Sequence, residues 1–148
     1  MSITHFESYI YSRSKGFTLI EVMIVVALIA ILSMIAVPSY KDYVLRGQVA
    51  EGTARLQMLQ ADMERHYQNF RTYAKSGSVE TPCATNPKAG QFSLSCTETP
   101  TASAYTLQAV GRGLTYTVNQ ENVRTTTSTV SGWPTCATGW TLKKGQSC

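Results

Sequence analysis

The sequence predicts an α+β protein in which a long N-terminal helix, membrane-spanning in its first half, packs against a small antiparallel β-sheet. Two observations lead to this fold class. An apolar stretch of bilayer length is followed by a helical stripe of apolar residues, and the later part of the chain alternates apolar and polar residues in short runs. Because a helix and a sheet can each bury one apolar face against the other, this arrangement gives both elements a partner.

The apolar stretch covers residues 17–37. Its 21 residues include only three polar side chains, those of Thr18, Glu21 and Ser33. At about 1.5 Å per residue, a helix of this length covers roughly the 30 Å hydrocarbon core of a bilayer, and it exceeds the ~7–15-residue apolar core of a secretory signal peptide. Arg13 and Lys15 precede it and favour a cytoplasmic N-terminus. We therefore expect a single-pass segment with its carboxyl end outside.

Glu21 is an ionisable residue inside the apolar stretch, where a charge costs on the order of a few kcal/mol and usually marks function. One interpretation is a carboxylate near the helix end that reaches the lipid headgroups. The other depends on Gly16, because cleavage after this glycine would give Phe17 a cationic amine, which is unfavourable at the positive end of a helix dipole. Glu21 lies four residues after Phe17 on the same helix face, so it would neutralise that amine or the amine of a neighbouring subunit.

Beyond Pro38 the sequence has the pattern of an amphipathic helix. Apolar or small residues recur every three or four positions at Leu45, Val49, Gly52, Leu56, Leu59, Met63, Tyr67 and Phe70. This spacing predicts that the helix continues outside the membrane over residues 39–73. Gly52 costs about 1 kcal/mol relative to alanine, which indicates a close contact or a bend. His66 has no Cys or second His at metal-binding spacing, and we interpret it as a packed or surface residue.

Residues 74–148 are predicted to form the globular part, with several short strands. The composition changes to Ser, Thr, Gly, Pro and Cys, and extended candidates follow at residues 91–96, 105–111 and 114–119. Gly111-Arg112-Gly113 supplies the turn between the last two. A further turn at residues 119–122 precedes a threonine-rich strand at residues 123–130.

Four cysteines lie on the side of the membrane that we assign to the oxidising periplasm, namely Cys83, Cys96, Cys136 and Cys148. We expect two disulfides, for which three connectivities exist. Short local loops favour Cys83–Cys96 and Cys136–Cys148, each worth roughly 3 kcal/mol. A zinc site is the alternative, but the gaps of 12 and 11 residues lack the close cysteine pair that zinc usually needs.

Enzymatic signatures are absent from the sequence. It has no phosphate-cradling glycine loop, no His-Glu helix pair for a metal and no Gly-x-Ser-x-Gly nucleophile elbow. We therefore expect no enzymatic activity, no catalytic residue, no metal and no cofactor.

The charge balance bears on what the globular part binds. The 148-residue chain has a net charge of +4, a mild excess. Six residues in loops or at strand edges combine positive charge with an aromatic ring and are candidates for binding double-stranded DNA: Lys88, Arg112, Arg124, Trp140, Lys143 and Lys144. Cations contact phosphates and an aromatic ring stacks on a base. The alternative is a solvated surface with ordinary basic residues.

The run Gly16-Phe17-Thr18-Leu19-Ile20-Glu21, followed by an apolar helix with Pro38 and then Ser39-Tyr40, resembles the prepilin signature of bacterial type IV pilins. The resemblance implies that prepilin peptidase removes a leader, residues 1–16, by cleaving after Gly16, and that Phe17 is N-methylated. Residues 17–38 would then sit in inner-membrane lipid until the assembly machinery packs them against other pilin subunits, with Glu21 in docking and Pro38 kinking the helix. The subunit would end in an extracellular pilus. Many pilins carry a glycine midway along this helix, and this chain has none there.

The overall layout is similar to that of the minor pilins that include DNA-uptake receptors, particularly residues 139–145 before Cys148. This similarity implies a minor pilin that is assembled into a pilus, or primes one, for twitching motility, adhesion or DNA uptake. A DNA-binding uptake receptor displayed on the pilus and a type II secretion pseudopilin are the alternatives. Pseudopilins of the major class tend to carry a calcium loop near the carboxyl end, whereas the last twenty residues here contain no acid.

Overall fold

A computed structural model describes residues 16–148 of the chain, so residues 1–15, most of the predicted leader, lie outside the described residues. The first element is the helix α1, Leu19–Phe70, of 52 residues. It continues through Pro38 and ends three residues before the predicted boundary. Arg71 follows it with φ 57°, and the Arg71 N–H donates to the Tyr67 carbonyl at 2.7 Å. A left-handed residue with this bond is a common way for a helix to stop.

Two compact units share the chain, one up to Pro38 and one formed by residues 39–148. The second unit contains a five-stranded sheet in the order β1-β2-β3-β4-β5, with every neighbouring pair antiparallel. The strands are β1 Lys88–Ala89, β2 Phe92–Cys96, β3 Thr106–Gly111, β4 Leu114–Asn119 and β5 Arg124–Ser128. A short 3₁₀ helix, Pro82–Thr85, precedes them. The α+β class predicted from sequence is thus confirmed.

One face of the sheet, which we call the inner face, is buried. Leu94, Ala109, Tyr116 and Thr126 lie directly opposite one another across β2 to β5, and each is at most 1% exposed. Leu94, Ala109 and Tyr116 share one apolar core with the stripe of α1 residues in the second unit: Leu45, Val49, Leu56, Leu59 and Met63. Because each such side chain gains about 1.5–3 kcal/mol from burial, this shared core is what holds the helix on the sheet.

Gly52 makes the close contact that its position in the apolar stripe indicates. A Cβ atom at this position would lie 2.8 Å from two ring atoms of Phe92 on β2. Real Cβ atoms do not approach so closely, so α1 and β2 pack at a distance that only glycine permits. Close packing against Phe92 therefore offsets the helical propensity that glycine loses at position 52.

The opposite face of the sheet, which we call the outer face, is uncharged on β2 to β5 and is polar except for Val110. Its cross-strand rows are Ser95-Gln108-Thr117-Thr125 and Ser93-Val110-Thr115-Thr127. Thr117 and Thr125 share a hydroxyl hydrogen bond of 2.6 Å, and Gln108 Nε2 donates to Ser95 Oγ at 3.1 Å. Side-chain hydrogen bonding thus occupies the first row, and the second row is left more open.

The segment after β5 is tied back onto the sheet. Disulfides join Cys83 to Cys96 and Cys136 to Cys148, with Cα atoms 5.5 and 5.6 Å apart, and these are the pairs that short loops favour. Thr126 and Cys136 exchange both backbone hydrogen bonds, at 2.7 and 2.8 Å. This bridge satisfies part of the exposed edge of β5, which would otherwise offer unpaired backbone groups.

A carboxylate joins the far part of α1 to the start of β3. Glu64 accepts hydrogen bonds from the Tyr73 hydroxyl at 3.0 Å and from the Tyr105 hydroxyl at 2.8 Å. Burial, reinforced by the Glu64 carboxylate, raises the pKa of Tyr73 to about 12 and raises the pKa of Tyr105 as well. Both hydroxyls therefore stay protonated, and remain donors to Glu64, to a higher pH than an ordinary tyrosine.

Candidate functional site

The start of α1 is held by a reciprocal pair of hydrogen bonds. The Glu21 backbone N–H donates to Thr18 Oγ1 at 3.3 Å, and the Thr18 N–H donates to Glu21 Oε2 at 3.5 Å. This is the capping box, in which a Thr and a Glu three residues later satisfy backbone donors that the helix leaves free. Our reading of the sequence missed this local role, although Thr-x-x-Glu before an apolar run is its signature. Gly16 and Phe17 precede the helix and are exposed.

The first half of α1 has no packing partner among the described residues. Every large apolar side chain between Phe17 and Val37 is at least 50% exposed. The most apolar 18-residue window of α1 has a mean hydropathy of 2.9, and none of it is buried. Exposed apolar area on this scale is unfavourable in water, so this segment requires lipid or other apolar helices around it.

Trp140 is buried, and its ring is not free to stack on a base as the sequence suggested. Its indole N–H donates to the Thr117 carbonyl at 2.8 Å, and its ring meets Tyr116 edge-on with centroids 6.3 Å apart. The Arg124 guanidinium lies 4.6 Å from the ring centroid, a cation–π contact. Because the core and Arg124 cover the ring, Trp140 acts as a platform that positions Arg124.

Lys144 is held against α1. Its Nζ lies 3.6 Å from Asp42 Oδ2, and its side chain passes so close to Gly132 that a Cβ there would meet it at 2.5 Å. The Gly145 N–H donates to the Gly132 carbonyl at 2.8 Å, which fixes this crossing. Lys143 is exposed and forms no ion pair with another residue in the range 16–148.

Lys88 and Arg112 lie at one end of the sheet. Arg112 and Gly113 form the two-residue turn between β3 and β4, with φ values of 57° and 77°, the pattern of a type I′ hairpin turn. Lys88 is opposite Ser93, and Ser93 is opposite Val110, so Lys88 is two strand spacings, roughly 10 Å, from a residue two positions before Arg112. Both basic side chains are exposed.

The C-terminal lysines belong to the same end of the sheet. The Thr129 N–H donates to the Gly113 carbonyl at 2.9 Å, and the chain then runs from Thr129 to Gly132, against which Lys144 packs. We call Lys88, Arg112, Lys143 and Lys144 the basic end. Arg124 is apart from it, because β4 pairs Arg124 with Val118, about 13 Å along the strand from the β3–β4 turn. The six predicted residues thus form two groups and not one patch.

No metal site emerges from the described residues. Within residues 16–148, no three His, Cys, Asp or Glu side chains come together as metal ligands would. His66 is buried, its Nε2 lies 3.0 Å from the Ala74 carbonyl oxygen, and its ring packs on Phe70 with centroids 4.8 Å apart. These contacts give His66 a packing role.

An apolar helix of bilayer length, capped at its start by Thr18 and Glu21 and followed by a disulfide-bonded α+β domain, defines a membrane-anchored subunit of the pilin type. The family described as "Type IV minor pilin ComP, DNA uptake sequence receptor" matches residues 38–122, more than half of the chain. The prokaryotic N-terminal methylation motif matches residues 11–37. The chain belongs to this family of type IV pilins.

Curated relatives agree on the class. The chain is 40% identical over 99 residues to a type IV major fimbrial protein FimA of Dichelobacter nodosus, a match that covers 66% of this chain and 61% of the relative. It is 48% identical over 63 residues to a fimbrial protein of Moraxella nonliquefaciens, covering 43% and 41% of the two chains. The chain therefore matches less than two thirds of the length of these relatives. No solved structure matches the chain.

The family and the relatives are structural pilins, so the chain is a type IV pilin subunit and not an enzyme. The methylation motif together with the apolar helix fits anchoring in the inner membrane followed by display on a pilus.

Proposed function

We propose that this pilin is a minor subunit whose globular part displays a receptor for double-stranded DNA on the pilus. The observation that carries the proposal is the basic end, where Lys88, Arg112 and Lys143 are exposed and form no ion pair within residues 16–148. The description of the matching family as a DNA uptake sequence receptor supports it.

The charge of the second unit suits a polyanion. Residues 39–148 contain eleven Lys and Arg against seven Asp and Glu, a net charge of +4. The outer face beside the basic end carries no carboxylate on β2 to β5, and the Glu51 carboxylate lies at the same end of the sheet, beside Gly90 in the β1–β2 turn. Lysines and arginines that replace the counterions of DNA gain free energy from ion release, which makes such binding dependent on salt.

The N-terminal half would serve processing and assembly. In this proposal, cleavage after Gly16 removes residues 1–16, Phe17 is methylated, residues 17–38 wait in inner-membrane lipid, residues 39–73 continue the helix and residues 74–148 form the globular part. Prepilin peptidase and other pilin subunits are then the partners. The capping box gives Glu21 a role within its own chain, and its second role is to meet the amine of a neighbouring subunit.

Two variants separate these two roles of Glu21. Thr18→Val removes the hydroxyl of the capping box and keeps the carboxylate, whereas Glu21→Ala removes both functions. If Glu21 meets a neighbour's amine, Glu21→Ala should leave membrane levels normal but abolish the subunit from sheared pili, and Thr18→Val should reduce it only modestly. Equal amounts of wild type and Glu21→Ala in sheared pili would overturn this part of the proposal.

DNA binding is tested with the full chain in nanodiscs of zwitterionic lipid, titrated with labelled duplex DNA. Lys143→Ala with Lys144→Ala should raise Kd roughly tenfold and make the salt dependence shallower by about 0.9, since Lys144 is paired with Asp42 and only the Lys143 phosphate contact, worth ~0.9, is lost. The matched control is Arg55→Ala with Arg65→Ala, which removes two exposed charges from α1. An equal loss in both double variants would show a general charge effect and contradict a specific site.

A second candidate function is that of the major structural subunit. It is favoured by the FimA relatives, which are described as major fimbrial proteins. Quantitative mass spectrometry of purified pili distinguishes the two: a trace component fits a minor receptor, and the dominant component fits a major subunit.

A further inference from the structure

A groove at the β3–β4 turn carries a more specific inference, which rests on the proposed DNA-binding function. The groove has a volume of about 330 Å³ and lies at the tip of the hairpin. Arg112, Thr115, Thr127 and Thr129 supply its polar side chains, and Val110 and Leu114 supply apolar ones. It contains no carboxylate, so its only charged group is the Arg112 guanidinium.

Two hydroxyls in the groove have no hydrogen-bond partner among residues 16–148. Thr115 and Thr127 lie directly opposite each other on neighbouring strands, with side chains on the outer face. Among residues 16–148 neither hydroxyl has a hydrogen-bond partner, in contrast to Thr117 and Thr125 in the next row, which bond to each other. Cβ atoms of directly opposed residues are about 5 Å apart, so the two hydroxyls present a pair of donors to one ligand.

Arg112 occupies a backbone position that does not favour arginine. Arg112 has φ 57° at the first central position of a type I′ turn, where asparagine, aspartate and glycine are strongly preferred. A left-handed conformation is costly for a residue with a long side chain. No ion pair of the Arg112 side chain within residues 16–148 offsets that cost. The same φ at Arg71 ends a helix, so backbone strain supports a functional role at Arg112 only together with its unpaired guanidinium and the groove beside it.

We propose that this groove holds one phosphate group of the DNA backbone. The Arg112 guanidinium donates to two phosphate oxygens, and the Thr115 and Thr127 hydroxyls donate to the same group from the sheet. Arginine suits this role because its planar fork matches phosphate geometry, and threonine hydroxyls are frequent partners of backbone phosphates. A contact of this type fixes the register of the duplex on the sheet and carries no sequence information by itself.

The first test uses Arg112→Asn, which replaces the arginine with the residue that the turn prefers. The variant should melt at a higher temperature than wild type and yet bind duplex DNA more weakly, with a salt dependence shallower by about 0.9. Higher stability with weaker binding is a combination that a merely structural arginine would not give. Arg55→Ala is the control for the loss of one exposed charge. Unchanged DNA affinity in Arg112→Asn would overturn the inference.

The second test uses Thr115→Val with Thr127→Val, which keeps the shape and the strand preference of both residues. Affinity for duplex DNA should fall several-fold with an unchanged salt dependence, because neutral donors release no counterions. Thr117→Val with Thr125→Val is the matched control in the next row and should leave affinity unchanged. Equal affinities of wild type and the Thr115/Thr127 variant would contradict the subsite.

The outcomes separate this inference from the function on which it rests. If wild type binds DNA and the Lys143/Lys144 variant is weaker, but the Arg112 and Thr115/Thr127 variants match wild type, the subsite is wrong and the receptor stands. If wild type binds no DNA at low salt, both are wrong. Competition by inorganic phosphate at millimolar concentration that is equally effective in wild type and in Arg112→Asn would also count against the subsite.

Discussion

Residues 19–37 and residues 39–148 are both rich in apolar side chains, but these side chains are exposed in the first region and largely buried in the second. In the first region every large apolar side chain is at least half exposed, whereas in the second α1 and the sheet share a core in which Val49, Leu56 and Met63 are fully buried. The first region therefore depends on an environment that other molecules supply, and the second supplies its own. The difference teaches that one helix can serve association in one half and folding in the other.

The carboxylates of the two regions also differ in their contacts. Glu21 is exposed, and among residues 16–148 it bonds only to Thr18 at the start of its own helix, which leaves room for a cationic group from outside. Glu64 is bonded to Tyr73 and Tyr105 of its own domain. The acid in the first region is available for association, and the acid in the second is used in folding.

Truncating one leucine in each region should change the free energy of unfolding in one case and not in the other. Leu56→Ala removes a side chain with 0% exposure and should lower the free energy of unfolding of the globular part by about 3 kcal/mol, because it leaves a cavity. Leu28→Ala removes a side chain that is 55% exposed and should leave that value unchanged. Denaturant unfolding of the full chain in detergent, followed by tryptophan fluorescence, checks both. Equal destabilisation would mean that the two halves of α1 fold as one unit.

Two glycines of α1 sharpen the account of the second region. Gly52→Ala places a Cβ against Phe92 and should destabilise the domain by about 1–3 kcal/mol. Gly47→Ala is the matched control, since nothing lies within 4 Å of its Cβ position, and it should stabilise the helix by roughly 1 kcal/mol. The melting temperatures of the two variants should therefore move in opposite directions. If both rise, the contact between α1 and β2 is looser than the structure indicates.

The smallest effect concerns the tyrosines around Glu64 at alkaline pH. The pKa of Tyr73 is raised from 10.0 to about 12, so the folded state keeps a proton that the unfolded chain loses. Stability from this group is complete below pH 10 and is lost as the pH rises towards 12. Tyr73→Phe should therefore make unfolding less dependent on pH across this interval, as urea denaturation at several pH values would show. If Tyr73→Phe leaves the pH dependence of unfolding unchanged, the proton responsible for it is not on Tyr73.

The sequence predicts the elements whose apolar spacing is regular. The α1 stripe from Leu45 to Met63 and the alternation in β3 and β4 appear directly as buried faces, because each period matches the geometry of its element. Phe70, predicted in the same stripe, is 39% exposed at the end of the helix, and Tyr67 is only partly buried. β1 was missed because two residues, Lys88 and Ala89, are too few to show alternation. Apolar spacing therefore identifies a helix or strand only when the element is long enough to repeat that spacing.

The candidate site was harder to predict, because its members meet only in the fold. The sequence grouped six residues by charge and proximity to turns, but strand register separates Arg124 from the β3–β4 turn. Trp140 was taken as an exposed ring, since the Thr117 carbonyl that accepts its N–H is 23 residues away. The ion pair of Lys144 with Asp42 spans almost all of residues 39–148, so the sequence around either residue does not predict it. Contacts of this kind follow from tertiary packing alone.

The central claim is that the basic end of this pilin binds duplex DNA through its free cations. The most direct measurement is the dependence of Kd on salt for the full wild-type chain in nanodiscs of zwitterionic lipid. Three phosphate contacts, from Lys88, Arg112 and Lys143, predict that log K falls against log salt with a slope of about −3. No detectable binding at low salt, or an affinity that salt does not change, would contradict the account.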